Sequence, residues 1–174
     1  MRHLLVAHLL SGYAAMEVNA LRGQYDPRTA AALGAHVTLA GAADTDAPPP
    51  QIEAIVSQCA AETEPFDLVI QGVTTFLPAT STVYLPVGPV DRLTELHDLL
   101  IARLGWQEQF PYVPHVTVAE FLPPPETEEV VRELRPIAVF VQDRLDALTL
   151  LERNGTGKWV PVLAYHLRRH KRAA

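Results

Sequence analysis

AHVTLA at residues 35–40 returns as PHVTVA at residues 114–119, so a His-Val-Thr triplet followed by an aliphatic and an alanine occurs twice, 79 residues apart, in a chain of 174. Seven His and thirteen Thr would by chance give roughly half of one His-x-Thr, so two such triplets alone carry little weight. The weight comes from the extended match and from the neighbourhoods of the two copies. Each triplet reads as a short strand preceded and followed by a helical pattern. Side chains two apart on a strand share a face, so His36 and Thr38 point one way, as do His115 and Thr117, while Val37 and Val116 point into an apolar layer.

Outward from these strands, Arg2 to Leu10 reads as a strand and Tyr13 to Gln24 as a helix with Ala14, Val18 and Leu21 on one face. After the first motif, GAADTDAPPP reads as a loop leading into a helix from about Gln51 to Glu62. Phe66 to Leu77 and Ser81 to Val87 form a hairpin through Pro78 to Thr80. Asp91 is placed as the cap of a helix carrying Leu93, Leu96 and Leu100, which stops at Gly105. Tyr112 to Phe121 is the strand of the second motif, and PPPE at 123–126 opens a helix to Arg135. Strands over Ile137 to Val141, Asp146 to Glu152 and Lys158 to Leu167 complete the order βαβα ββ αβα βββ. The repeat is thus one of topology as well as letters, and it predicts an α+β fold. Two pseudo-symmetric antiparallel-sheet lobes, each with flanking helices, surround a central cleft in one bilobal domain over residues 1–174.

Composition narrows the functions available. With 48% hydrophobic and 20% charged residues the chain can bury a proper core. A net charge of −6 argues against a protein that grips long duplex DNA, because such binding runs on Lys and Arg displacing counterions. Cys59 is the only cysteine, so no intramolecular disulfide or cysteine-based zinc site can form, and it is expected in the core. His3 and His8 interrupt the apolar opening, which is read as a strand and not a leader, and no apolar run approaches the roughly 20 residues of a membrane span. A cytoplasmic monomer is the expectation.

Two imidazoles and two hydroxyls converging on one cleft suit a phosphodiester. Imidazole titrates near pH 6.5, so one neutral His can take a proton from an attacking water while a protonated one delivers a proton to the departing ester oxygen. The Thr hydroxyls can donate to the non-bridging oxygens as charge redistributes. Neither a metal nor a cofactor is needed. Microscopic reversibility lets the same groups run the reaction backwards as a ligation, and a groove that binds RNA or a nucleotide without chemistry is the alternative.

The two H-x-T-[aliphatic] strands, together with LGW at 104–106 and PYVPHVTVAEF at 111–121, resemble the 2H phosphoesterase superfamily, in particular its bacterial 2′-5′ RNA ligase-like members. The resemblance spans nearly the whole chain. It implies the bilobal fold and metal-independent chemistry on a 2′,3′-cyclic phosphate or a 2′-5′ linkage, borne by a nucleotide or an RNA terminus. It further implies catalysis by His36 and His115 and phosphate binding by Thr38 and Thr117. GAADTDAPPP lacks the aromatic and glycine that often follow the first motif, and few basic residues flank either copy, which leaves the substrate class open. RGQYDP at 22–27 is similar to a subgroup with Arg and Tyr ahead of the first His strand, making Arg22, Tyr25 and Arg28 candidate substrate contacts. A helix end followed by a Pro turn explains the same letters.

The remaining histidines, His3, His8, His97, His166 and His170, have no matching Thr, and no H-x₃₋₅-H pair sits with a carboxylate or Cys at zinc-ligand spacing. LRRHKR at 167–172 is a basic run that reads as a solvated tail, and NGTG between Arg153 and Lys158 reads as a hairpin turn. Trp106, Phe110, Tyr112 and Trp159 are candidates for stacking a base, with at most one expected to do so.

Overall fold

The computed structural model describes residues 1–168; His170 and most of the basic run read from the sequence lie outside the described residues. In chain order the elements are β1 (Arg2–Leu9), α1 (Gly12–Tyr25), α2 (Pro27–Ala32), β2 (His36–Thr45), α3 (Pro49–Glu62), β3 (Phe66–Gln71), β4 (Thr74–Thr75), β5 (Thr82–Gly88), α4 (Val90–Leu104), β6 (His115–Glu120), α5 (Pro124–Leu134), a 3₁₀ turn (Arg135–Ile137), β7 (Phe140–Leu145), β8 (Ala147–Arg153) and β9 (Trp159–His166).

These strands make two antiparallel sheets. One runs β2-β1-β8-β9; in the other, β5 lies between β6 and β3, with β7 beyond β3 and β4 extending the β3 side. The expected α+β class with two lobes of antiparallel sheet is therefore what the chain adopts. Each motif strand is the outer strand of its sheet, next to the strand that begins its half, β1 or β5. The halves are interleaved, since the N-terminal half also sends β3 into the second sheet and the C-terminal half returns β8 and β9 to the first. Side chains of both sheets join one apolar core, Leu4, Val37 and Leu150 from the first meeting Leu68, Leu85 and Val116 from the second. A polar tie reinforces the junction: His8 of β1 sits 3.1 Å from Asp143 of β7, whose carboxylate also accepts from the Ser11 hydroxyl at 2.8 Å and the Ser11 N–H at 3.0 Å.

Several boundaries differ from the sequence reading for identifiable reasons. GAADT is not a loop; β2 continues through Thr45 because β1 pairs with it as far as Arg2. RGQYDPRT holds a second helix and not a simple Pro turn, as Asp26 caps α2 by accepting from Thr29 N at 3.1 Å with Pro27 in the first turn. Pro89, not Asp91, precedes the first turn of α4; Asp91 lies inside that turn, where its charge complements the helix dipole. The far end of α4 is as read, with Gly105 left-handed at φ 68°. Phe66–Leu77 breaks at Gly72, φ 76°, giving β3 and β4. Ile137 ends a 3₁₀ turn, so the next strand starts only at Phe140. Tyr112 to Pro114 precede the second motif strand and are not part of it. Cys59 is fully buried. Among the described residues no helix is long and apolar enough to cross a membrane.

Candidate active site

The five-letter repeat becomes intelligible residue by residue once the strands are paired. Val37 and Val116 are 0% exposed, on the core face. Where β1 meets β2, Val6 faces Ala40 and Ala7 faces Thr38, so Leu39 is an extra residue; where β5 meets β6, Val83 faces Ala119 and Tyr84 faces Thr117, so Val118 is the extra one. The aliphatic after each Thr is thus a β-bulge, and both bulged side chains are fully buried. A bulge breaks the alternation of faces. His and Thr occupy the cleft side before it, and in β6 the residue five after the His, Glu120, returns to the cleft side after it.

The imidazoles are held alike. His36 Nδ1 lies 2.8 Å from the carbonyl of Gly34, and His115 Nδ1 lies 2.6 Å from that of Val113, in each case two residues upstream. A carbonyl can only accept, so Nδ1 carries the proton in both rings and Nε2 is the nitrogen that titrates. Neither Nε2 has a protein partner among the described residues. Burial pushes His36 down from its ordinary value to about 4 against the opposing Gly34 carbonyl, with the positive charges of Arg22 and His115 adding to the depression. Burial also lowers His115, against the Val113 carbonyl.

Each motif strand is clamped by two side chains, four residues apart, from the segment leading to the other motif. Arg22 donates through Nη1 to the Thr117 carbonyl at 3.0 Å, and Asp26 accepts from Glu120 N at 3.1 Å. Reciprocally, Tyr112 donates to the Thr38 carbonyl at 2.9 Å, and Glu108 accepts from Gly41 N at 2.7 Å. Glu120 and Gly41 occupy the same place, five residues after their His. The clamps are matched in position and unlike in chemistry. Arg22 is 2% exposed and also donates to the carbonyls of Leu33 at 2.8 Å and Thr29 at 3.3 Å, tying β6 to the turn that delivers His36. Tyr112 instead stacks on His97 at 3.8 Å, and the Nδ1 of His97 donates to the bulged Leu39 carbonyl at 2.9 Å. A methyl group on Gly41 would sit 2.8 Å from the Glu108 carboxylate, so glycine allows that close approach.

Two cavities, of about 610 and 630 Å³, open on either side of this pair of strands and share Thr38, Ala42, His115, Thr117 and Glu120; they are two arms of one cleft. His36, Arg22 and Arg28 line the first arm, joined by Arg153 and Trp159. Phe76, Phe110, Tyr112 and Glu108 line the second. The structure therefore brings together His36, His115, Thr38, Thr117, Arg22 and Arg28. Tyr25 lines neither arm; its hydroxyl donates to Glu133 at 3.1 Å.

A comparison with known families matches residues 12–157 to the 2′-5′ RNA ligase superfamily. This chain belongs to that superfamily. Relatives named "Putative phosphoesterase" include one from Oceanobacillus iheyensis, 33% identical over 146 residues (82% of this chain, 85% of the relative), and one from Geobacillus kaustophilus, 30% identical over 145 residues (81% and 82%). Among solved structures, TT0787 of Thermus thermophilus is similar with a TM-score of 0.68 at 16% identity, covering 97% of this chain and 98% of that one. E. coli LigT complexed with 3′-AMP is similar with a TM-score of 0.65 at 18% identity, covering 97% and 99%. The fold is shared with both.

Within this superfamily member, several cleft and support residues escape sequence reading. Asp26 and Glu108 give no signal beyond their charge, because only the paired bulges reveal which backbone groups need them, and Glu120 is brought to the cleft by the bulge before it. Phe121 lines the first arm, 79% exposed, with its backbone in the left-handed region at φ 63°, a conformation uncommon outside glycine. Of the aromatic candidates for stacking a base, Trp106 is buried, whereas Phe110, Tyr112 and Trp159 line the cleft. His8 pairs with Asp143, His97 supports the first motif strand through the Leu39 carbonyl, and His3 lies against Trp159 with ring centres 5.2 Å apart.

Proposed function

We propose that this protein is a metal-independent phosphoesterase that opens 2′,3′-cyclic phosphates or cleaves 2′-5′ linkages on a nucleotide or an RNA end. One observation carries the reading: two imidazoles, each with Nδ1 fixed on an i−2 carbonyl and Nε2 unengaged, line a shared cleft with a Thr hydroxyl beside each. Membership in the 2′-5′ RNA ligase superfamily supports the reaction class, and the LigT complexes with ATP and 3′-AMP support a nucleotide as the ligand.

In the proposed reaction an anionic diester lies between the strands with its non-bridging oxygens on Thr38 and Thr117. His36 acts as the base, since burial beside the Arg22 cation keeps its ring neutral; its Nε2 takes a proton from water as the oxygen bonds to phosphorus. His115, which the Arg22 charge does not depress, is the acid, and its Nε2 proton passes to the ester oxygen as the P–O bond breaks. The product leaves His36 protonated and His115 neutral, and exchange with solvent resets the pair. kcat/KM then falls below about pH 4 as His36 protonates, and falls at higher pH as His115 loses its proton at a value beneath the ordinary 6.5.

The test is turnover of 2′,3′-cyclic nucleotides and 2′-5′ dinucleotides by the purified chain in EDTA. Product formation that disappears in both His36→Ala and His115→Ala supports the enzyme. Saturable binding with no product over long incubation would instead make this a nucleotide-binding module.

A further inference from the structure

The two arms of the cleft carry aromatic side chains in common and differ in charge. The arm beside His36 holds Arg28 and Arg153 over a floor that includes Arg22; among the described residues the arm beyond His115 has no Lys or Arg in its lining, and it holds Glu108. Glu120 lies where the arms meet.

Four arginines of this acidic chain are held in ion pairs: Arg2 with Glu152, Arg103 with Glu62, Arg132 with Glu129 and Arg144 with Asp67. Arg28 and Arg153 form no ion pair among the described residues, although both face a cavity. Arg153 is positioned all the same, its Nε donating to the Gly157 carbonyl at 3.3 Å within the turn between β8 and β9. Arg22 lines the same arm, and its Nε is fully buried with no partner among the described residues. Two cations that line one recess and form no ion pair favour an anion there beyond the one the motif strands would hold.

Resting on the phosphoesterase reading, we infer that the substrate carries a second phosphate, on the His36 side of the reacting one, held by Arg28 and Arg153, while the group in the aromatic arm is uncharged. Two sources share that chemistry: a terminal monoester on the same nucleoside, or the next diester of a nucleic-acid strand. The Glu108 carboxylate of the opposite arm makes the preference directional, since a phosphate placed there would meet it with no Lys or Arg among the described lining residues to offset it.

Titration calorimetry in EDTA with adenosine 3′-monophosphate, adenosine 3′,5′-bisphosphate and a di-adenosine nucleotide ending in a 3′-phosphate, with the corresponding 2′ series, tests this without requiring turnover. At least one of the doubly phosphorylated probes should bind tenfold or more tightly than the monophosphate, with a steeper loss of affinity as salt rises. Preference for the bisphosphate identifies a monoester, and preference for the dinucleotide a continuing strand. In Arg28→Ala/Arg153→Ala the ratio should fall to about twofold or less, and Arg28→Lys/Arg153→Lys should restore part of it. Near-equal affinities, an advantage that survives the double alanine variant, or no binding of any probe would overturn the inference. Turnover with no second-phosphate preference would sink it and leave the phosphoesterase reading standing.

Discussion

The strand around His36 and the strand around His115 share five letters, a bulge, an i−2 carbonyl and a two-residue clamp, yet they sit in different electrical surroundings. His36 lies near the buried guanidinium of Arg22, whereas His115 meets the ring edges of Phe76 at 5.0 Å and Tyr84 at 5.4 Å. The repeated letters place the titrating nitrogens, and the unrepeated neighbours decide which ring holds a proton more readily. A duplicated scaffold can thereby supply two groups with one geometry and separate roles, as acid–base catalysis requires.

The largest expected effect comes from removing either ring. His36→Ala and His115→Ala should each lower turnover by about 10²- to 10⁴-fold, the range for a general acid or base. The double variant should be little worse than the poorer single, because groups acting in one transition state are not additive. Steady-state assays on a cyclic nucleotide, alongside thermal melts showing intact folding, would check this. If one variant retained activity within a few-fold of the parent, the copies would not be a working pair.

Next come the clamps. Arg22 is fixed by three carbonyls and lies near the carboxylates of Asp26 and Glu120, so Arg22→Met strips partners from all of them inside the core. The expected loss is about 3–5 kcal/mol, the range for breaking a buried charged network, read from denaturant midpoints. A loss under about 1 kcal/mol would mean that the strand carrying His115 is secured without it.

Much of the fold is legible because its signals are periodic. Alternation in HVTLA and HVTVA assigns the cleft and core faces, Gly105 ends α4, and prolines open α3 and α5. What escapes notice depends on pairing between distant segments. AGAADT is too small and polar to read as a strand, and is one only because β1 lies alongside; Leu39 and Val118 cannot be recognised as bulges until their partners are known. The clamps are less visible still: Arg22 with Asp26 resembles an ordinary i, i+4 ion pair, and Glu108 with Tyr112 resembles nothing. Arg22 reads from sequence as a substrate contact, but its guanidinium is spent largely on backbone carbonyls. The exchange of β3, β8 and β9 between sheets has no local sequence correlate at all.

The pH dependence of stability separates the two strands at an intermediate scale. An imidazole whose folded value is about 4 against an ordinary 6.5 takes up protons more readily unfolded than folded between those values, so stability is full above pH 6.5 and declines as pH falls toward 4. At pH 5 the His36 contribution to that decline is about 2 kcal/mol. His36→Asn should therefore lose that much less stability than the parent between pH 7 and 5, measured by urea unfolding at each pH. His115→Asn should show the same sign with a smaller gain. An equal gain in both would erase the electrical difference on which their separate roles depend.

The smallest effect belongs to the neutral clamp, and it is informative because Tyr112→Phe changes so little else. The ring keeps its stack on His97, and only the hydroxyl's bond to the Thr38 carbonyl is removed. Burial and the nearby Glu108 charge hold that phenol well above its ordinary value, so it remains a proton donor throughout the working range. The carbonyl left behind lies in a half-buried cleft strand, and the expected cost is about 1 kcal/mol, with a modest fall in turnover and the His36→Asn behaviour unaltered. Should Tyr112→Phe cost as much as Arg22→Met, the phenol would be as essential to β2 as the guanidinium is to β6. Arg22 would then matter for the charge it places beside His36 more than for its grip on the strand.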